Sequence, residues 1–395
     1  MRKLLTALAA TTMLAGAASA QEVKIGILLG FTGPIESITP PMAASAELAM
    51  KEINDSGLFL DGKTKLVAVR ADSTCTDAAA ATAAAERLIN TERVAAIMGA
   101  DCSGVTGAVA RNVAVPNGVV MISPSATSPA LSTLDSRGHF FRTAPSDARQ
   151  GQVLAEVLKE RGYNSAAVSY TNNDYGKGFS GAFAAAFEKI GGKITINAPH
   201  DDGKGDYSAE VAALAAAKGD VLVVLGYADQ GGVGIIRTAV DTGAFSKFAI
   251  GDGMHADSLI KAIGRDLERT VGTSPGASGQ GADAFAKVAT AAGIDPKGSY
   301  RGESYDAMAL IALAMQAAGS TDRAALRAKV LEVANGPGEP ILAGELAKGL
   351  KILKDGGKIN YIGATNVNLI GPGEASGSYR EYVVKDGKFD TVKFR

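Results

Sequence analysis

Val119-Val120-Met121-Ile122-Ser123-Pro124-Ser125-Ala126-Thr127-Ser128-Pro129 is the stretch whose reading decides the fold. An apolar run stops abruptly in a loop that carries four hydroxyls and is stiffened by two prolines. Short runs rich in Val and Ile read as buried strands. In open α/β sheets, ligands sit just beyond the carboxyl ends of such strands. Hydroxyls and free backbone N–H groups at that place suit a small anion such as a carboxylate. The plainer alternative is a strand-to-helix loop whose hydroxyls cap a helix. A second hydroxyl cluster, Cys102-Ser103-Gly104-Val105-Thr106, lies one strand earlier and favours a site.

Working outward, strand and helix patterns alternate. Strands are predicted over 23–29, 65–70, 94–98 and 119–122, with helices over 43–53, 76–90 and 104–112 between them. That is the pattern of a parallel, doubly wound sheet. The pattern then restarts with helices over 147–161, 177–190, 207–217 and 229–241. Strands over 166–170, 193–197, 221–225 and 248–250 alternate with them. A second α/β sheet follows. Helices over 281–292, 304–318 and 322–334 come next, and 379–385 and 388–393 alternate as a hairpin around Asp386-Gly387. No long linker separates the halves, so several short crossings are expected to join them.

The N-terminus reads as a secretory leader. Arg2 and Lys3 are its charged start, residues 4–14 are apolar apart from three threonines, and Ala18-Ser19-Ala20 is a cleavage site. The segment is short for a membrane anchor, and Gln21-Glu22 follow at once. Removing it leaves 38 basic against 41 acidic residues, a net charge of −3. That balance argues against nucleic acid or an anionic membrane as partner. About 375 remaining residues exceed what one core usually supports, so two domains are expected. Only Cys75 and Cys102 occur, and in an exported chain such a pair reads as a disulfide. The rival reading, a Cys102 nucleophile, needs a nearby histidine, and the three present (His139, His200, His255) have no such context.

Gly176-Lys177-Gly178-Phe179-Ser180-Gly181 matches G-x-G-x-x-G, and Asp201 lies downstream. The five residues between the preceding strand and Gly176 are too many for the tight turn that motif needs. No other catalytic motif and no EF-hand spacing is present, so neither cofactor nor metal is expected, and no enzyme activity.

The chain resembles the branched-chain amino-acid (Leu/Ile/Val) substrate-binding proteins of ABC transporters. The resemblance is carried by Ile25-Gly26-Ile27 with Thr32-Gly33-Pro34, Asp72 with Cys75, Gly99 with Cys102-Ser103, the 121–129 loop, Phe141-Arg142-Thr143 with Gln150-Gly151, Tyr175-Gly176-Lys177-Gly178, and Gly226-Tyr227. It implies two Rossmann-like lobes with parallel sheets, joined by three crossings, with the ligand in the cleft between them. The implied division is a leader over 1–20, one lobe from 21–144 plus 276–372, and the other from 145–275 plus 373–395. Implied roles follow residue by residue. Ser103, through its hydroxyl and N–H, holds the ligand α-carboxylate with Thr127, the Ser125 carbonyl helps hold the ammonium, and Ala126 is a further ligand-binding residue. Tyr175 and Tyr227 close over the ligand from the second lobe. Asp252 pairs the ammonium, where the family more often has glutamate. Ile38, in place of a usual aromatic, and His255 are weaker pocket candidates, and 338–357 looks like an insertion. The expected function is the periplasmic component of an importer: a monomer that delivers an amino acid to permease and ATPase subunits. An aromatic acid, a short amide or urea as ligand, and a role as soluble sensor, stay open.

Overall fold

A computed structural model describes residues 21–371 and 373–395; the leader read over 1–20 lies outside the described residues. In the first sheet β1 (Glu22–Leu29), β2 (Lys65–Asp72), β3 (Ala96–Gly99), β4 (Val120–Ser123) and β5 (Phe140–Arg142) are all parallel. Their order is β2-β1-β3-β4-β5. The alternation in β1 shows how both faces are covered. Val23, Ile25, Ile27 and Leu29 point into one core, whereas Leu28 points into another. Connecting helices are α1 (Thr39–Ser56), α2 (Ala78–Glu86) and α3 (Ser103–Val109). Prolines in the first turn start α1, and Gly57, in the left-handed conformation (φ 62°), ends it. Asp77 caps α2 by accepting from Ala79 N and Ala80 N at 2.9 and 3.0 Å.

The second sheet is entered through α4 (Asp147–Glu160). It then runs β6 (Ser165–Thr171), α5 (Asp174–Lys189), β7 (Lys193–His200), α6 (Ser208–Ala217), β8 (Val221–Leu225), α7 (Gly231–Asp241), β9 (Phe248–Ile250), α8 (Asp257–Ile263) and β10 (Val271–Pro275). The chain returns to the first lobe as α9 (Gln280–Ala291), α10 (Arg301–Ala318) and α11 (Arg323–Asn335). The expected insertion folds as β11 (Glu339–Leu342), α12 (Leu346–Lys354) and β12 (Ile359–Gly363), a parallel pair with its crossover helix. Leu346 and Leu350 of α12 are buried in the same core as α1 and α10. After β13 (Leu369–Gly371) and β14 (Glu374–Ala375), the hairpin β15 (Tyr379–Lys385) and β16 (Lys388–Phe394) ends the chain. It adds antiparallel to β10, giving the order β16-β15-β10-β9-β8-β6-β7. The second sheet is therefore mixed: β15 runs antiparallel to β10 on one side, and the two-residue turn at Asp386-Gly387 makes β16 antiparallel on the other. Ala375 still belongs to the first-lobe core, and Glu374 pairs with Arg142 of β5.

Asn173 caps α5 by accepting from Gly176 N at 3.1 Å, so the helix starts three residues earlier than the periodicity suggested. The G-x-G-x-x-G run therefore lies inside a helix rather than on a phosphate loop. A Cβ on Gly176 would lie 2.0 Å from the Thr171 carbonyl oxygen, and one on Gly178 would lie 2.8 Å from Pro129 Cδ in the opposite lobe. These glycines permit close packing. No helix of the described residues is long and apolar enough to cross a membrane.

Cys75 and Cys102 form a disulfide across 27 residues, tying the β2–α2 loop to the segment before Ser103. Replacing both with alanine is expected to cost roughly 3 kcal/mol of stability, by the loss of a denatured-state constraint. Urea unfolding with and without reductant measures this, and equal midpoints would contradict it.

Candidate functional site

The carboxyl ends of β1, β3 and β4 face those of β8 and β9 across the seam between the lobes. Between them lies a cavity of about 20 Å³. Its first-lobe wall is Ile35, Ile38, Asp101, Cys102, Ser103, Ser125 and Tyr300. Its second-lobe wall is Tyr175, Tyr227, Asp252 and Gly253. The space holds roughly one water molecule. A larger guest enters only if the lobes part.

The two hydroxyl loops are stitched together. Ser128 N donates to Ser103 Oγ at 3.1 Å, Ser125 Oγ donates to the Asp101 carbonyl at 3.1 Å, and Ser123 Oγ accepts from Ala126 N at 3.0 Å. Behind the 121–129 loop stands Arg142, whose side chain is wholly buried. Its guanidinium donates to the carbonyls of Ala126 and Ser128, each at 3.0 Å, and to Glu374 Oε2 at 2.8 Å. This places Ala126 and Thr127 behind the cavity wall rather than on it. The Ala126 carbonyl is taken by Arg142. Thr127 is fully buried, and its Oγ1 has no partner among the described residues.

Opposite, Tyr175 and Tyr227 stack at 5.2 Å with their rings 18° apart. Tyr175 OH donates to Asp252 Oδ1 at 2.9 Å and accepts from Gly253 N at 3.2 Å. Gln150 Nε2 donates to Asp252 Oδ1 at 2.9 Å, and Tyr300 OH donates to Asp252 Oδ2. Burial raises the Asp252 carboxyl above its ordinary range, against the pull of its bonds to Tyr300, Tyr175 and Gln150. Asp147, at the start of α4, is fully buried, and neither of its oxygens has a partner among the described residues. Burial and then the Asp252 charge push it well upward. Asp101 is also raised by burial, although Gly30 N (2.6 Å) and Ser73 Oγ (2.8 Å) donate to it. Each wall thus carries one buried acid: Asp252 with the two tyrosines on the second lobe, and Asp101 beside the serine hydroxyls and the start of α3 on the first. Ser103 Oγ receives a backbone amide and no histidine lines the cavity, so the wall offers hydrogen bonds rather than an activated nucleophile.

The structure brings together Ile38, Ser103, Ser125, Tyr175, Tyr227 and Asp252. It turns His255 away. That ring lies 4.3 Å from Phe389, contacts Ser299 Oγ at 2.7 Å and faces a separate cavity. Burial, and then the charges of Arg380 and Arg301, hold it well below the ordinary histidine range. Sequence reasoning missed Tyr300, Asp101 and Gln150 as site residues. Tyr305, five residues after Tyr300, turns away from the cleft: its hydroxyl donates to Glu52 and accepts from Gly344 N at 3.0 Å. An aromatic directly before a helix, at a left-handed φ of 60°, was the available signal for Tyr300 only once the backbone was known.

A family model described as periplasmic binding protein matches residues 22–340. A Leu/Ile/Val-binding protein homolog of Brucella melitensis is 32% identical over 348 residues, which cover 85% of this chain and 88% of that protein. A leucine-, isoleucine-, valine-, threonine- and alanine-binding protein of Pseudomonas aeruginosa is 29% identical, covering 84% and 90%. Among solved structures, a leucine-binding protein of Thermotoga maritima superposes with a TM-score of 0.78 at 26% identity, covering 94% of this chain and 98% of that one. With its two α/β lobes and a seam of hydroxyls, tyrosines and two acids, the chain belongs to the periplasmic binding protein family.

Proposed function

We propose that this protein is the solute-binding component of an ABC importer. In this reading it binds an aliphatic amino acid by lobe closure and presents it to the membrane subunits. The leader over 1–20 exports it to the periplasm, where it acts as a monomer without catalysis. The observation that carries the ligand assignment is Asp252, a buried carboxylate on one side of the cavity, facing Ser103 and Ser125 on the other. A zwitterion entering a closed cleft loses hydration at both ends, so each end needs directed partners. Ser103, with the loop stiffened by Arg142, receives the carboxylate. Asp252 receives the ammonium, exchanging the Tyr300 or Gln150 contact for it. Ile35 and Ile38 supply apolar wall for an aliphatic side chain. Thr127 and Ala126 act by shaping the loop. Closure removes water and strengthens each charge-assisted bond.

A dye-based thermal shift of the mature protein against amino acids, γ-aminobutyrate, benzoate-type acids, urea and short amides tests this. A ligand that binds only the folded form stabilises by about 4 kcal/mol at a thousandfold excess over Kd. A shift of several degrees with aliphatic amino acids is expected. A shift only with acids or amides that lack an ammonium would overturn the role given to Asp252.

A further inference from the structure

Beyond Ile38, on the far side from the small cavity, a second cavity of about 350 Å³ opens along the same seam. Five cationic side chains line it. Lys297, from the segment before α10, and Arg301, the first residue of α10, come from the first lobe. Lys261, Arg380 and Lys388 come from α8 and the final hairpin of the second lobe. Only two acids line the same wall, Asp257 and Asp295, leaving a net charge of three positive. Asp295 pairs with Arg301 at 3.2 Å, and none of the other four cations has a carboxylate within ion-pair distance among the described residues. Arg380 instead donates from one nitrogen to the Lys297 carbonyl at 2.8 Å. The Nε atoms of both arginines are buried without a partner. Buried donors of a guanidinium are costly to leave unmade, and a guanidinium fork matches the oxygens of a carboxylate or phosphate.

The cavity exists only because the lobes meet. Ser37 Oγ of the first lobe lies 3.1 Å from Ser258 Oγ of the second, and Ser299 Oγ donates to the His255 carbonyl at 3.0 Å. Closing the cleft therefore brings Lys297 and Arg301 against Lys261, Arg380 and Lys388. Like charges gathered in a partly desolvated space oppose closure. A dianion placed among them reverses the sign of that contribution and bridges the lobes. We propose that this cavity binds a small dianion, such as inorganic phosphate or a dicarboxylate, and that its binding favours the closed form and so tightens binding in the neighbouring cleft. The coupling, unlike the anion site itself, rests on the cleft-closing function proposed above.

The test titrates inorganic phosphate into the mature protein by calorimetry, with ionic strength held constant by chloride. One saturable site per chain is expected. Lys261 and Lys388 are exposed, so K261Q/K388Q tests the site without disturbing a core. Phosphate affinity in this variant should fall about tenfold. K351Q/K354Q removes the same charge from α12, remote from the cavity, and should leave phosphate affinity unchanged. Absence of a saturable site, or equal weakening by both double variants, would overturn the anion site. In a second arm, a cleft ligand identified by thermal shift should bind more tightly in phosphate than in chloride, and phosphate should gain by the same factor, because coupling is reciprocal. Unchanged ligand affinity would overturn the coupling. An empty ligand panel would count against the importer reading while the phosphate arm still decides the site.

Discussion

Asp252→Ala is expected to weaken binding of the cleft amino acid by about 3–5 kcal/mol, roughly a hundred- to several-thousandfold. Two effects add. The ligand ammonium loses its one buried counter-charge on the second-lobe wall. In addition, Tyr175, Tyr300 and Gln150, which all donate to this carboxylate, are left facing each other in a closed space. Asp252→Asn separates the two, because its amide oxygen still accepts from Tyr175 and Gln150, its NH2 donates to the Tyr300 hydroxyl, and the charge is gone. If the ammonium reading is right, the asparagine variant stays folded with intact tyrosine contacts and still binds far more weakly than the parent chain. Calorimetric titration of both variants decides this, and parent-like affinity in Asp252→Asn would sink the charge-pairing role.

The second large effect concerns stability. Arg142→Met should lower it by about 3–5 kcal/mol, the range for breaking a buried ion pair by removing one partner. Arg142 is 0% exposed, and Glu374 only 23%. The substitution also strands the carbonyls of Ala126 and Ser128, through which Arg142 holds the 121–129 loop in shape. Arg142→Met with Glu374→Gln should recover part of the loss, because the orphaned charge is gone while the carbonyls stay unpaired. Urea unfolding measures both. An unchanged midpoint in Arg142→Met would show that this clamp contributes little. A ligand affinity that falls with stability would link the clamp to the cleft.

Much of this molecule was legible as pattern. Alternation of short Val- and Ile-rich runs with capped amphipathic segments located nearly every strand and helix of both sheets, because the two periods, 2 and 3.6, are written locally. Short or irregular pieces escaped. β5 and β10 are three and five residues long, and the β11–α12–β12 unit carries glycines that read as breaks. Their strands exist because neighbours in the sheet supply hydrogen bonds, which no local pattern encodes. At the cleft, hydroxyls after strand ends, Tyr175, Tyr227 and Asp252 could be named from their places after strands. Tyr300 could not, since it comes from a segment some 50 residues from Asp252 in sequence yet donates to its carboxylate. His255 was drawn towards the cleft by its nearness in sequence to Asp252. In the fold, the turn between them points it the other way, against Phe389 and Tyr382.

By itself, then, the sequence determined the two α/β lobes, the disulfide pair and the strand ends that line the cavity between the lobes. All of these follow from residue types and spacings along one segment at a time. Only the tertiary structure decided that Asp252 is held by Gln150, Tyr175 and Tyr300, that Thr127 and Ala126 stand behind the wall, and that five cations converge on the seam. Those facts depend on how separate segments meet when the lobes close, and burial and charge act through distance in space rather than distance along the chain.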